Sequence, residues 1–261
     1  MDSVTSKDGT VITYDRLGSG PAVILVTGGS VDRMSNAPLA ESLAPHFTVF
    51  NYDRRGRNES GDTPPYAVER EVEDISAVAD AAGGSAYLYG SSSGAALALE
   101  AARQLGGAVI TKLALWEPPY IPDGFPRPPA DTAKTYTDLV ARGRRGDAVE
   151  FFMGKVVGLP PEFITQMRVS PFWPQQEALA HTLAYDATIM DDYTLPVERV
   201  AQVTIPTLVL AGSASMPFMP VTAQAIVEHL PNGQQRVLEG QSHDVAAEAL
   251  APVLIEFLSG K

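Results

Sequence analysis

Residues 87–102 read "YLYGSSSGAALALEAA": a short run that favours strand, three serines fenced by Gly90 and Gly94, then an alanine-rich stretch of helical character. The serines are either part of a loose polar linker or a tight turn that presents one of them. A strand-to-helix turn places the middle serine, Ser92, at the carboxyl end of a strand, where open α/β sheets bind their ligands. Gly90 and Gly94 stand two residues before and two after it, where so sharp a turn brings backbones too close for a Cβ. The spacing is that of a G-x-S-x-G elbow, and its strand and helix context makes it far more specific than the pattern alone.

Outward from the turn, strand and helix signals alternate. "VITYDRL" (11–17) alternates like a half-buried strand, while "PAVILVTGG" and "FTVFNYDRRG" are apolar runs of the kind buried on both faces of a parallel sheet. "SAYLYG", "VITKLALWE" (109–117), "IPTLVLAG" (205–212) and "QQRVLEG" add further strands. Helices are expected over 36–46, 67–83 and 94–106, in "VTAQAIVEHL", and in "DVAAEALAPVLIEFLSG". Residues 118–203 break the alternation: rich in Pro, Phe and Trp, with helical pieces and no buried strand, they read as an insert within one domain. The expected architecture is therefore an α/β core of residues 1–117 and 204–261, with 118–203 as a helical cap.

Composition narrows the functions available. A chain of 261 residues at 45% apolar composition can bury one large core. Its formal charge of -12 argues against nucleic acid and anionic membrane surfaces, since the one basic knot, "ARGRRGD" (141–147), reads as a helix end. The chain has no cysteine, no signal-like start and no apolar run near the roughly 18 residues of a membrane span, so a soluble cytoplasmic protein is expected. Oligomeric state is open.

A serine hydroxyl is a weak nucleophile until a base takes its proton, and the chain has four histidines. His46 precedes a strand, His181 lies in the insert and His229 lies in the helix after "LVLAG"; capping or packing suits each. His243 follows the last strand run, in "QRVLEGQSHD", and so emerges at the same sheet edge as Ser92.

With these pieces, "GTVITYDRLGSGPAVILVTGG", "NYDRRGRNES", "GSSSG", "IPTLVLAG" and "LEGQSHDVAAEALAPVLIEFL", the chain resembles the α/β-hydrolase family over nearly all its length. The resemblance implies an eight-stranded, mostly parallel sheet, a helical cap, and a nucleophile, acid and histidine in that chain order. Two departures stand out. The loop that often reads His-Gly is here "TGGS" (27–30), and the residue before the nucleophile, often histidine, is Ser91. The loop still offers the Gly29 N–H, which with the Ser93 N–H would form an oxyanion hole. It has neither G-x-G-x-x-G nor a P-loop lysine, so nucleotide binding is not expected.

The acid is less plain. Family members often carry it just past "LVLAG", where this chain has "SASMPFMP", with Ser213 and Ser215 and no carboxylate. Some relatives, haloalkane dehalogenases among them, place it after the preceding core strand; here that strand ends "LALWEPP", which nominates Glu117. The alternative for Glu117 is a solvated or arginine-paired glutamate, and Asp123, Asp191, Asp192 and Asp244 are weaker candidates.

Ser92 where dehalogenases and epoxide hydrolases of this fold carry aspartate points to acyl transfer from esters, lactones, thioesters or activated amides, with no cofactor and no metal required. Two further readings stay open: a non-hydrolytic binding protein or pseudoenzyme, and a lyase, C–C hydrolase or perhydrolase using the same triad. "NYDRRGR" reads as a loop tie through Asp53, Arg54 and Arg55. Phe152 and Trp173 belong to a group of insert aromatics that pack the cap; any that also reach the cavity imply a moderately large apolar substrate.

Overall fold

The computed structural model describes residues 1–260. Eight strands form one sheet: β1 (Asp2–Thr5), β2 (Val11–Leu17), β3 (Ala22–Val26), β4 (Thr48–Tyr52), β5 (Ala86–Ser91), β6 (Ile110–Trp116), β7 (Thr207–Gly212) and β8 (Gly233–Leu238), in the order β1-β2-β4-β3-β5-β6-β7-β8. The β1–β2 and β2–β4 pairs are antiparallel, and all others are parallel.

The run "VILV" shows why the parallel strands read as continuously apolar. Val23 and Leu25 enter one core cluster and Ile24 and Val26 the other, and all four are fully buried. Each such side chain contributes about 1.5–3 kcal/mol through its burial. Helices α1 (Ala37–Leu43) and α11 (Ala247–Ser259) cover one face; α2 (Val68–Ala81), α3 (Ser93–Leu105) and α10 (Phe218–His229) cover the other. The helix expected over 36–46 is shorter: a 3₁₀ turn over Arg33–Asn36, capped by Asp32, takes its first residue, and residues 44–46 leave it in a turn that leads into β4. The opening strand β1 was not read from the sequence: "DSVT" is a short, mostly exposed edge strand without an apolar face.

Between β6 and β7 the chain has helices and no strand: α4 (Thr132–Ala141), α5 (Arg145–Phe151) continued by a π-helical segment over Phe152–Val157, α6 (Pro161–Arg168), α7 (Trp173–Leu179) continued by a 3₁₀ turn over Ala180–Thr182, α8 (Leu183–Met190) and α9 (Val197–Val200). All but α9, whose Val200 joins the main core, contribute to an apolar cluster of their own that includes Tyr136, Val149, Met153, Trp173 and Leu183. Among the described residues no helix is long and apolar enough to cross a membrane.

Candidate active site

Ser92 sits between β5 and α3 with φ 54° and ψ −128°, a backbone conformation that L residues hold only where the surroundings compel it. The surroundings are close. A Cβ on Gly90 would lie 2.4 Å from the Gly94 carbonyl oxygen, and one on Gly94 would lie 2.2 Å from that of Thr27. Both glycines are therefore dictated by packing, and the serines form a turn, not a linker.

Glu117 follows β6 with a left-handed φ of 46°, which turns its side chain under the neighbouring strand end. It is 1% exposed. One carboxylate oxygen accepts the Gly212 N–H at 2.8 Å, and the other accepts from His243 Nδ1 at 2.6 Å. An ionised carboxylate only accepts, so Nδ1 carries the proton and Nε2 is the basic nitrogen. Burial pushes the Glu117 pKa up, but hydrogen bonding, from His243 first and then the Gly212 N–H, outweighs it and holds the group below its ordinary value.

Trp116 links the three positions. Its carbonyl accepts the Ser92 N–H at 2.8 Å, and its indole N–H donates to the His243 carbonyl at 2.9 Å. The His243 loop passes so close over β7 that a Cβ on Gly212 would lie 2.1 Å from the Gln241 carbonyl oxygen, the reason for glycine at the end of "LVLAG". Glu117 and His243 are thus joined directly, and the Ser92 N–H is tied to both by way of Trp116, through its backbone to Glu117 and through its indole to the His243 loop. No side-chain hydrogen bond joins Ser92 Oγ to His243 among the described residues; in free enzymes such bonds are often long and tighten when substrate binds. The His243 side chain is 45% exposed and so open to solvent.

The other histidines sit elsewhere: His46 is exposed, His229 bonds to the Ala225 carbonyl within α10, and His181 lies against Arg145 in the insert. Of the weaker acids, Asp123 pairs with Arg127 and Asp192 accepts the Thr194 N–H. Asp191 ends α8, and Asp244 is exposed.

The "TGGS" loop packs on the elbow, where a Cβ on Gly28 would lie 3.0 Å from Ser92 Cβ. A Cβ on Gly29 would instead meet Asp186 Oδ2 at 3.1 Å and Ser93 Oγ at 3.4 Å. The "NYDRRGR" loop ties segments together through buried ion pairs: Arg55 grips Asp74, Arg54 grips Glu71, and Asp53 accepts the Arg33 N–H. Phe152 and Trp173 both join the cap's own cluster.

Sequence reasoning passed over Trp116, Arg57 and Asp186. Arg57 lies within the quoted "NYDRRGRNES" and Trp116 within "LALWEPP". Asp186 had one usable signal, a lone carboxylate on the face of α8 that also carries Leu183, Ala187 and Met190. Burial raises its pKa, but Arg57 and Arg54 outweigh that and keep it ionised.

A family model described as "Alpha/beta hydrolase family" matches residues 23–254. A solved alpha/beta hydrolase from Sphaerobacter thermophilus is 53% identical, covering 98% of this chain and 100% of that one, with a TM-score of 0.92. The uncharacterized hydrolase YraK of Bacillus subtilis is 38% identical over 96 residues, 35% of either chain. N-formylmaleamate deformylase of Pseudomonas putida is 37% identical over 105 residues, 39% of either chain. The match thus spans little more than a third of the length of these two curated relatives.

Proposed function

The chain belongs to the alpha/beta hydrolase family, and from that premise we propose that it is a serine hydrolase cleaving an ester or lactone through Ser92, His243 and Glu117. One observation carries the reading: the 2.6 Å bond from His243 Nδ1 to a buried carboxylate, beside a serine held in a strained turn.

Ser92 Oγ attacks the substrate carbonyl carbon while His243 Nε2 takes its proton. The carbonyl π pair moves to oxygen, and the Gly29 and Ser93 N–H groups hold the resulting oxyanion. The oxyanion collapses, the alcohol leaving group departs with the proton from His243, and an acyl-enzyme remains. Water then attacks, delivering its proton to His243, and the carboxylic acid leaves as Ser92 recovers its hydrogen. Glu117 keeps the imidazole in the Nδ1–H tautomer and offsets the imidazolium charge at each transfer.

Phe152 and Trp173 pack within the insert's own cluster; where such aromatics also face the site they favour a moderately large apolar substrate. The deformylase among its relatives extends the candidate range to activated amides.

A panel of p-nitrophenyl esters of rising chain length, run on the wild type and on Ser92→Ala, tests this together with fluorophosphonate labelling. Wild type is expected to hydrolyse the esters and take the label at Ser92, and Ser92→Ala to lose about 10⁶ in kcat. An unlabelled, inactive wild type would reject the reading in favour of a non-hydrolytic binding protein.

A further inference from the structure

Asp186 comes from α8 of the insert, yet each side-chain hydrogen-bond partner of its carboxylate belongs to the core. It is 6% exposed. Its carboxylate accepts Arg57 Nη2 on both oxygens at 2.9 Å, Arg54 Nη1 at 2.7 Å and the Ser93 hydroxyl at 2.8 Å.

The two arginines do not stop at Asp186. Arg54 Nη1 also reaches the Thr27 carbonyl at 3.3 Å. Arg57 Nη1 donates to the Gly28 carbonyl, and to that of Val31 at 3.0 Å. Successive carbonyls of the "TGGS" loop are thus drawn toward guanidinium groups, and this has a geometric consequence. In a trans peptide the C=O and N–H of one unit point in opposite directions. The carbonyl of Gly28 shares its peptide with the N–H of Gly29, so the Arg57 bond turns that N–H away from the arginines. The second proposed oxyanion donor, Ser93, is bonded to the same carboxylate through its side chain.

We propose that Asp186 is a positioning residue by which the insert aligns the oxyanion hole, through Arg57 and the Gly28–Gly29 peptide on one side and through Ser93 on the other; this rests on the serine-hydrolase reading above. Arg54 has a second anchor, since Glu71 accepts both its Nε and Nη2 at 2.7 Å. Arg57 has no carboxylate partner other than Asp186 among the described residues, and its Nε is buried without an acceptor. The alignment of the Gly28 carbonyl therefore depends on a residue of the insert. The core supplies the donors, and the insert sets their direction.

The test compares wild type with Asp186→Asn, which keeps the shape and removes the charge. Three readouts are taken: kcat and KM on a p-nitrophenyl ester, affinity for a trifluoromethyl ketone that adds to Ser92 as a hemiketal, and the hemiketal's titration by ¹³C NMR of the labelled carbonyl carbon. The expected result is a kcat lower by about 10²-fold with KM changed by less than about twofold. The ketone's affinity falls in step with kcat/KM, and the hemiketal oxyanion protonates at higher pH than in wild type. Lower activity with unchanged ketone affinity and unchanged titration would overturn the inference, leaving Asp186 as a tie between insert and core.

Should Asp186→Asn fail to fold, two milder variants carry the same test: Ser93→Ala, which leaves every charge in place, and the charge-balanced double variant Arg57→Gln with Asp186→Asn. An upward shift of the hemiketal titration in both supports the inference; wild-type titration in both rejects it. A wild type that forms no hemiketal at all rejects the serine-hydrolase reading, and this inference with it.

Discussion

Glu117 and His243, 126 residues apart in the chain, meet in a 2.6 Å hydrogen bond at the carboxyl edge of the sheet. The loop past β7, where many relatives carry the acid, holds Ser213 and Ser215 instead, and Ser215 lies beside Gly212, whose N–H binds the other oxygen of Glu117. The carboxylate thus reaches the histidine from one strand earlier.

If Glu117 sets the tautomer and supports the imidazolium, Glu117→Gln keeps the shape and loses the function. Turnover on the best p-nitrophenyl ester is expected to fall by about 10⁴-fold, roughly 5 kcal/mol of barrier. Unchanged kcat would exclude Glu117 as the acid.

Acid unfolding offers an independent check. The folded-state pKa of Glu117 lies below its ordinary 4.5, so its stabilising contribution is full above that value and is lost as pH falls through the lowered one. The stability gap between wild type and Glu117→Gln, from urea titrations, is therefore constant near neutral pH and narrows in acid. A gap that widens in acid would contradict the sign of the shift.

At the elbow, a Gly94→Ala methyl meets the Thr27 carbonyl at 2.2 Å, which neither backbone can yield without moving the turn. A stability loss of about 3 kcal/mol or failure to fold is expected, measured by thermal unfolding. A stable, active Gly94→Ala enzyme would mean the turn is looser than its packing shows.

Trp173, 6% exposed in the cap cluster, separates packing from substrate contact. Trp173→Ala should cost about 3–5 kcal/mol through the cavity it leaves. Trp173→Phe should fill most of that space, and a change in its preferred ester chain length would show that the ring also touches substrate. Unchanged preference in Trp173→Phe would confine the ring to packing.

Much of the core was legible because each signal is local. β2 spans the residues whose alternation marked them, and the glycines around Ser92 follow from close contacts within one turn and the adjacent loop. His243 could be placed at the right edge because parallel β/α units bring every strand's carboxyl end to the same side. The edge strand β1 escaped because its burial is slight and its sequence polar.

By itself, then, the sequence determined the alternating core, the elbow at Ser92 and the edge at which His243 emerges, since period, turn sterics and strand direction are properties of neighbouring residues. Only the tertiary structure decided that Glu117 lies under that histidine, that Trp116 bridges them, and that Asp186 of the insert reaches Arg57 and Ser93. Those contacts join residues about a hundred or more positions apart, and which side chains meet across such distances is set by how helices and loops dock on the sheet, a choice no local pattern encodes.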